Sequence, residues 1–344
     1  MKRNYSYIYF IMILFANNAN SQDVHFSQFL QTPQLINPAA TGVFDGKVRA
    51  FLNYRSQWSA FGNGYKTYAA SVDMPLAKSN NKAYFGLGLN FYKDAAGSSN
   101  FGNTVAALSA SGILPVARNH TFSGGIQFGY GQYSANLANL TWGSQFNGSE
   151  FDLELNNNES ILNQNSKYLD ASAGLYYQFK NVANRFLGTD MSSFNIGIAG
   201  YHLNKPKQSF LSNTESELPM KIIAQASGTF DLTSTKVSLQ PSMFYAIQGP
   251  FTEITPGMLL KLKFGASTKY TGFFKESAIY FGAHYRLNDA IIPQMYLEFA
   301  DYMIGISYDY NTSDLSTATG GNGGFEISFR YVNKPKALQR ASFK

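Results

Sequence analysis

The stretch YMIGISYDY, Tyr302–Tyr310, alternates between two kinds of residue along its whole length. Tyr and Ile occupy every second position, whereas Met, Gly, Ser and Asp occupy the positions between them. The stretch FEISFRY, Phe325–Tyr331, repeats this design with Glu, Ser and Arg opposite its apolar residues. A period of two is the pattern of a β-strand with one apolar and one polar face. At about 9–11 residues a strand, it is typical of transmembrane β-barrels.

The same alternation recurs along the chain and predicts fourteen strands, an even number as in bacterial single-chain barrels. The predicted strands begin near Lys47, Tyr65, Ala83, Thr104, Thr121, Leu169, Phe194, Lys221, Lys236, Gly257, Ala278, Pro293, Tyr302 and Phe325. The segments near Lys221 and Lys236 alternate weakly, so twelve or sixteen strands are the alternatives. A soluble β-sandwich also alternates, but we expect its strands to be shorter and its outer face more charged. The predicted fold class is therefore all-β, a transmembrane antiparallel β-barrel of about 14 strands.

Composition supports a surface that faces lipid. Aromatic residues make up 16% of the chain, with 23 Tyr and 29 Phe, while charged residues reach only 14%, against about 25% in average proteins. Cysteine is absent, which excludes disulfides and thiol chemistry. The formal charge of +6 is mild and scattered along the chain, so it indicates no nucleic-acid-binding face.

The N-terminus has the pattern of a secretory signal peptide. Lys2 and Arg3 precede the apolar run YIYFIMILF at Tyr7–Phe15, and small residues at Ala19 and Ser21 suit cleavage before Gln22. A membrane anchor is the alternative, but a spanning helix needs roughly 20 apolar residues. We therefore divide the chain into a signal peptide (1–21), an N-terminal plug or periplasmic segment (22–45), an outer-membrane barrel (46–331) and a basic periplasmic tail (332–344).

The segments that flank the predicted barrel have distinct patterns. Residues 22–45 are about half apolar, lack clean alternation and contain Pro33, Asn37-Pro38 and Thr41-Gly42. We expect this segment to pack inside or under the lumen as a plug. The tail NKPKALQRASFK is basic, and it is either a solvated end or a periplasmic contact site.

Connection lengths suggest which end of the barrel faces outward. With both termini in the periplasm, the long connections at 132–167, 206–219 and 311–324 lie outside, where such barrels carry recognition. The connection 265–276 would then be periplasmic, and its length fits this topology poorly.

No motif in the chain indicates catalysis, a metal or a cofactor. Of the four histidines, only His284 is predicted mid-strand and inward, where a polar lumen network explains it better than a Ser–His pair without a GxSxG elbow. The stretch Asp309–Asp314 lacks the Gly and closing Glu of a calcium loop. Glycines in Ser123–Gly131 are interpreted as room for neighbouring aromatics. The polar residues predicted to face the lumen are Lys261, Lys263, His284, Arg286, Glu298, Asp309, Glu326 and Arg330.

The opening HFSQFLQTPQLINPAATGVFDGKVRAFLNYRSQW, at 25–58, resembles the start of the PorP/SprF family of type IX secretion proteins from Bacteroidetes. The later stretches YRLNDAI (285–291), IGISYDYNTSDLS (304–316) and GGNGGFEISFRY (320–331) follow in the family's order. There are two departures. Phe325 precedes Glu326 where the family often has His, and His284 stands where a small residue is common.

This resemblance implies a non-enzymatic outer-membrane barrel of type IX secretion or gliding motility. Such a protein would anchor, or assist the export of, a secreted surface protein with a C-terminal sorting domain, or attach to periplasmic secretion-machinery components. The residues chosen as plug or partner-binding candidates are Asn37, Pro38, Gly42, Arg55, Gln57 and Trp58. Trp58 could equally be an interfacial anchor. The alternative function is an outer-membrane channel for small or hydrophobic solutes with an N-terminal hatch.

Overall fold

A computed structural model provides the structure of the chain. It describes residues 23–58, 64–79, 82–97, 99–136, 140, 142–152, 154–156, 165–185, 188–208, 216–233, 235–265, 277–313, 316, 319 to 333. The predicted signal peptide, most of the basic tail and the connection 266–276 lie outside the described residues.

Fourteen antiparallel strands close into a barrel, as the alternation predicts. Its strands are β1 (Arg49–Gln57), β2 (Tyr65–Leu76), β3 (Tyr84–Ala96), β4 (Gly102–Ala117), β5 (His120–Ser134), β6 (Asn165–Arg185), β7 (Gly188–Tyr201), β10 (Lys221–Asp231), β11 (Val237–Gln248), β12 (Phe251–Gly265), β13 (Ser277–Arg286), β14 (Ala290–Phe299), β15 (Tyr302–Asn311) and β16 (Asn322–Val332). Two-residue strands β8 (Lys207–Gln208) and β9 (Ser216–Glu217) form a separate hairpin. Pairing of β1 with β16 closes the sheet. The weakly alternating segments near Lys221 and Lys236 are the strands β10 and β11.

The two faces of the sheet differ as the alternation requires. Large apolar side chains point outward, where Phe85 and Leu169 are 68% and 70% exposed, and such a belt is expected to face lipid. Inward positions are buried and mostly polar, among them Asn53, Asn90, Ser109, Gln127, Ser242, Gln294 and Ser328. Among the described residues, no helix has the length and apolar character needed to cross a membrane.

The segment before β1 packs against the inner face of the barrel. Three short helical turns shape it, at Phe29–Gln31, Pro33–Ile36 and Pro38–Ala40. Asn37 lies between the second and third turns, where its side-chain Oδ1 accepts a hydrogen bond from the backbone N–H of Ala39 at 2.9 Å. This cap fixes the bend that Pro38 begins, since proline is pre-set for the first position of a helical turn.

An even number of strands places the start of β1 and the end of β16 at the same end of the barrel, which we call the terminal end. The opposite end, where β1 ends, is called the loop end, and the long connections between β5 and β6 and between β7 and β10 lie there. The N-terminal segment runs between the two ends. Gly42 lies beside Gly86 near the terminal end, whereas Asp23 bonds Gln248 at the loop end.

Candidate functional site: the interface inside the barrel

Two arginines and two carboxylates meet inside the barrel, and we call Arg55, Arg286, Asp309 and Glu326 the inner ion cluster. Their side chains are almost fully buried. Arg55 lies 2.9 Å from Asp309 and 3.7 Å from Glu326, and Arg286 lies 3.2 Å from Asp309. Buried charges are tolerated when they are paired and hydrogen-bonded, and here each carboxylate has an arginine.

The N-terminal segment completes the inner ion cluster through Ser27 and Gln28. The backbone N–H groups of Ser27 and Gln28 donate to the Glu326 carboxylate at 2.8 and 3.1 Å. The Ser27 hydroxyl donates to Asp309 at 2.7 Å and accepts from Arg55 at 3.0 Å. Because these bonds join the segment to residues of β1, β15 and β16, the cluster ties the segment to the wall.

Glycines on the inner face form a seat for the next part of the segment. A Cβ added at Gly125 would lie 2.6 Å from the Ala39 backbone, and one at Gly86 would lie 2.3 Å from the Thr41 carbonyl oxygen. Gly174 on β6 similarly leaves room for the Asn37 side chain. The room at Gly125 therefore serves the segment, which corrects the sequence interpretation of an aromatic neighbour. Gly131 does face an aromatic ring, that of Tyr168.

Gly42 ends the seat near the terminal end. Its backbone has φ +74°, a conformation that glycine adopts without steric cost. The Gly42 N–H donates to the Asp73 carboxylate at 2.7 Å, and Arg49 donates to the same carboxylate at 2.7 Å. Arg49 also donates to the Ala40 carbonyl at 3.0 Å, so the first strand holds the segment that precedes it.

His202 binds the other end of the segment, at the loop end. Its Nε2 lies 2.6 Å from an Asp23 oxygen and its Nδ1 lies 2.9 Å from an Asp170 oxygen. The side chain of Gln248 bonds both the backbone and the carboxylate of Asp23 at 3.0 Å. Burial opposes the protonated ring, but the hydrogen bonds to Asp170 and Asp23 outweigh it and raise the pKa of His202 from 6.5 to about 9.

We expect this contact to loosen at alkaline pH. The stabilisation from protonated His202 is fully present below pH 6.5 and is lost as the pH rises through about 9. Lys221 also faces Asp23 and keeps part of the attraction. A nitroxide label on Val24→Cys, the only cysteine in that variant, should become more mobile between pH 7 and 10 by electron paramagnetic resonance. When His202→Gln is added to this variant, the increase in label mobility between pH 7 and 10 should vanish. An unchanged increase would contradict the assignment of this pH dependence to His202.

The other four charges predicted to face the lumen, Lys261, Lys263, Glu298 and Arg330, lie in the terminal half. Lys261 lies 3.2 Å and Arg330 3.5 Å from Glu298, and Tyr280 also donates to that carboxylate. Lys263 lies 2.5 Å from Asp231. These side chains keep partial exposure, 33% for Lys263 against 17% for Lys261.

His284 is buried at the centre of the wall. Its Nε2 lies 2.7 Å from the Ser242 hydroxyl, and the Phe29 ring packs edge-on at 5.2 Å. Within the described residues, its Nδ1 has no hydrogen-bond partner. A catalytic Ser–His pair needs a third group that orients the base, so the geometry favours a polar wall contact.

The structure separates the plug or partner-binding candidates into two groups. Asn37, Pro38, Gly42 and Arg55 are buried and contact other parts of the same chain. Gln57 and Trp58 lie at the loop end with partial exposure, where the Trp58 ring meets Tyr65 edge-on at 5.3 Å. All eight predicted lumen-facing residues lie on inward positions, and Arg286, Asp309 and Glu326 join Arg55 in the inner ion cluster.

Several contact residues were absent from the sequence prediction, notably Asp23, Ser27, Gln28, Asp73 and His202. Of these, only Ser27 and Gln28 have a signal in the sequence, as part of the stretch His25–Gln28 that resembles the family. No group of three His, Cys, Asp or Glu suited to a metal occurs among the described residues.

Comparison with known proteins supplies the family. The family model "Type IX secretion system membrane protein PorP/SprF" matches residues 18–331. No curated protein sequence matches significantly.

Solved structures with a similar architecture are distant. The chain is similar to BamA from Haemophilus ducreyi lacking POTRA domains 1–3, at 9% identity and TM-score 0.44, covering 83% of this chain and 70% of that one. It is also similar to the TodX monoaromatic hydrocarbon channel deltaS2 mutant, at 10% identity and TM-score 0.40, covering 89% of this chain and 94% of that one. A third similar structure is the translocator domain of the autotransporter NalP from Neisseria meningitidis, at 10% identity and TM-score 0.34, covering 83% of this chain and 86% of that one. At this distance, similarity is no guide to function.

The match to the family model extends over nearly the whole length of the chain, including the N-terminal segment and all fourteen barrel strands. The family is one of outer-membrane components of type IX secretion. The chain therefore belongs to the PorP/SprF family of type IX secretion system membrane proteins, and it is a β-barrel of the outer membrane.

Proposed function

We propose that this barrel is a non-enzymatic scaffold that anchors, or assists the export of, a partner surface protein, with residues 23–45 as a built-in plug. The observation that carries the proposal is the bonding of this segment along the inner wall. The inner ion cluster, the glycine seat and the His202 contact hold it at three successive points. A segment bonded this way favours a closed scaffold over a pore.

The channel alternative receives less support from the same geometry. Two cavities between segment and wall in the described part of the chain measure about 170 and 40 Å³. Pockets that hold small-molecule ligands measure roughly 300–1,000 Å³. A solute would therefore have to displace buried ionic contacts before it could enter.

The partner would bind at the ends of the barrel, because lipid covers the sides. At the loop end, the long connections and the partly exposed Gln57 and Trp58 offer a surface for a secreted protein with a C-terminal sorting domain. At the terminal end, periplasmic secretion-machinery components could attach, including those that drive gliding motility. The basic tail 332–344 is proposed as a second periplasmic contact.

A detergent pull-down with mass spectrometry tests this function. Tagged barrel is expected to recover a large surface protein with a C-terminal sorting domain, or a periplasmic component of the machinery. The double variant Gln57→Ala/Trp58→Ala should reduce recovery of a partner bound at the loop end, and Arg118→Gln, at the terminal end, serves as its control. Recovery of the barrel alone in every sample would refute the anchoring function.

A further inference from the structure

Among the described residues, a cavity of about 170 Å³ lies between the N-terminal segment and the wall in the terminal half of the barrel. Leu30 and Gln31 of the N-terminal segment form its floor, and the strands β10–β16 form its wall. We call this cavity the terminal cup. Leu259, Tyr280, Tyr296 and Met303 make much of the wall apolar. The cup can take one large side chain of a partner, but it is smaller than a site for a whole ligand.

Two polar groups of the cup have bonding capacity left. The Gln31 side chain is 6% exposed, and its Oε1 accepts no hydrogen bond within the described residues. The Arg330 guanidinium on the opposite wall has five N–H donors, and its closest carboxylate oxygen, on Glu298, is 3.5 Å away. Gln31 and Arg330 both line the cavity, and with a rotation of the Gln31 side chain they offer an acceptor and a donor to a peptide group, which has an N–H and a C=O.

Charge at the mouth of the cup selects among peptides. Lys261 and Lys263 on β12 and Arg330 on β16 face inward here, against the two carboxylates Glu298 and Asp231. The turns at the same end are also basic, with Lys47, Lys78, Lys82, Arg118 and Lys236 against Asp45 and Asp301. Among the described residues, the loop-end connections have the opposite balance, with Glu150, Asp152, Glu154, Glu217 and Asp289 against Lys205, Lys207 and the protonated His202. The terminal end is therefore the end that attracts an acidic partner.

We propose that the terminal cup docks an acidic peptide segment of a partner protein from the periplasmic side. One apolar side chain of that segment enters the cup, its backbone bonds Gln31 and Arg330, and flanking carboxylates meet Lys261, Lys263 and Arg330. This rests on the proposed function, since it names the side and the chemistry of a partner. Anionic lipid is a poorer occupant, because these three cations face the lumen and not the outer belt.

Fluorescence anisotropy with the purified full chain tests the cup. The probe is a fluorescein-labelled, amidated hexapeptide of sequence EELFEE, and KKLFKK is its charge-reversed counterpart. The acidic peptide should bind and the basic peptide should not, and higher ionic strength should weaken binding. The double variant Lys261→Gln/Arg330→Gln should weaken binding by about tenfold or more, and Thr229→Trp, which fills the cup, should abolish it.

Arg118→Gln is the matched control, because it removes a cation from the same end outside the cup. It should retain wild-type binding, and folding of every variant is checked by its migration on unheated gels. Equal binding to wild type and to Thr229→Trp would overturn the proposal. So would competition by anionic vesicles together with an equal loss in Arg118→Gln, which would indicate a lipid site.

Failure of the cup and failure of the anchoring function give different results. If the peptide does not bind but the pull-down still recovers a partner, the cup is refuted and the anchoring function stands. If the peptide binds and the pull-down recovers nothing, the anchoring function is refuted and the cup stands.

Discussion

Replacing Arg55 by leucine is expected to destabilise the folded barrel by about 3–5 kcal/mol, the usual cost of breaking a buried ion pair. Arg286 would remain 3.2 Å from Asp309, but Glu326 would keep only its bonds from the backbone of Ser27 and Gln28. An uncompensated carboxylate would then stay buried. Urea unfolding in lipid vesicles, followed by the shift between folded and unfolded bands on gels, measures the loss.

Arg118→Leu is the control for Arg55→Leu, because Arg118 is exposed in the turn between β4 and β5. Its effect should stay within about 0.5 kcal/mol. If both variants lost the same stability, the inner ion cluster would contribute nothing specific to the fold.

Replacing Gly125 by alanine should unseat the N-terminal segment while the barrel still forms. The new methyl would lie 2.6 Å from backbone atoms of Ala39, and backbone on both sides has little freedom to move. Overpacking of this kind costs about 1–3 kcal/mol, or roughly 5–150-fold in the equilibrium between seated and unseated segment. In a variant that also carries Ala40→Cys, Gly125→Ala should accelerate labelling of the cysteine by a membrane-impermeant maleimide by that factor. The conductance of the barrel in planar bilayers should rise as well.

Gly124 provides a control one residue away on the outer face. A Cβ there would meet only a Leu175 methyl, at 3.8 Å, so Gly124→Ala should leave labelling and conductance unchanged. Equal labelling rates in Gly124→Ala, Gly125→Ala and the wild type would show that the seat does not hold the segment.

The sequence predicted the barrel well because each strand carries its own evidence. Alternation is local, and it separates the two faces of a strand even where the predicted start of that strand is imprecise. The start near Gly257, for example, lies inside β12, which begins at Phe251. Thr252 and Pro256 occupy outward positions of β12 and interrupt its apolar face, so the alternation is clear only from Met258 onward.

The contacts inside the barrel were less predictable, because the partners lie far apart in the chain. Ser27 and Glu326 are separated by 299 positions, and no local pattern connects them. Arg55 and Glu326 were each singled out, yet nothing in the sequence alone joins them into one cluster. His202 and Asp23 are similarly separated by 179 positions, and a lone histidine at a strand end gives little signal.

The inner ion cluster also crosses the seam where the barrel closes. Arg55 on β1 is the register partner of Glu326 on β16, and that same carboxylate receives the backbone of Ser27 and Gln28. Separating β1 from β16 would therefore break hydrogen bonds of the N-terminal segment as well as the backbone hydrogen bonds between the two strands. Closing this seam and seating the segment are therefore coupled, and opening the seam toward the lipid would cost both sets of bonds.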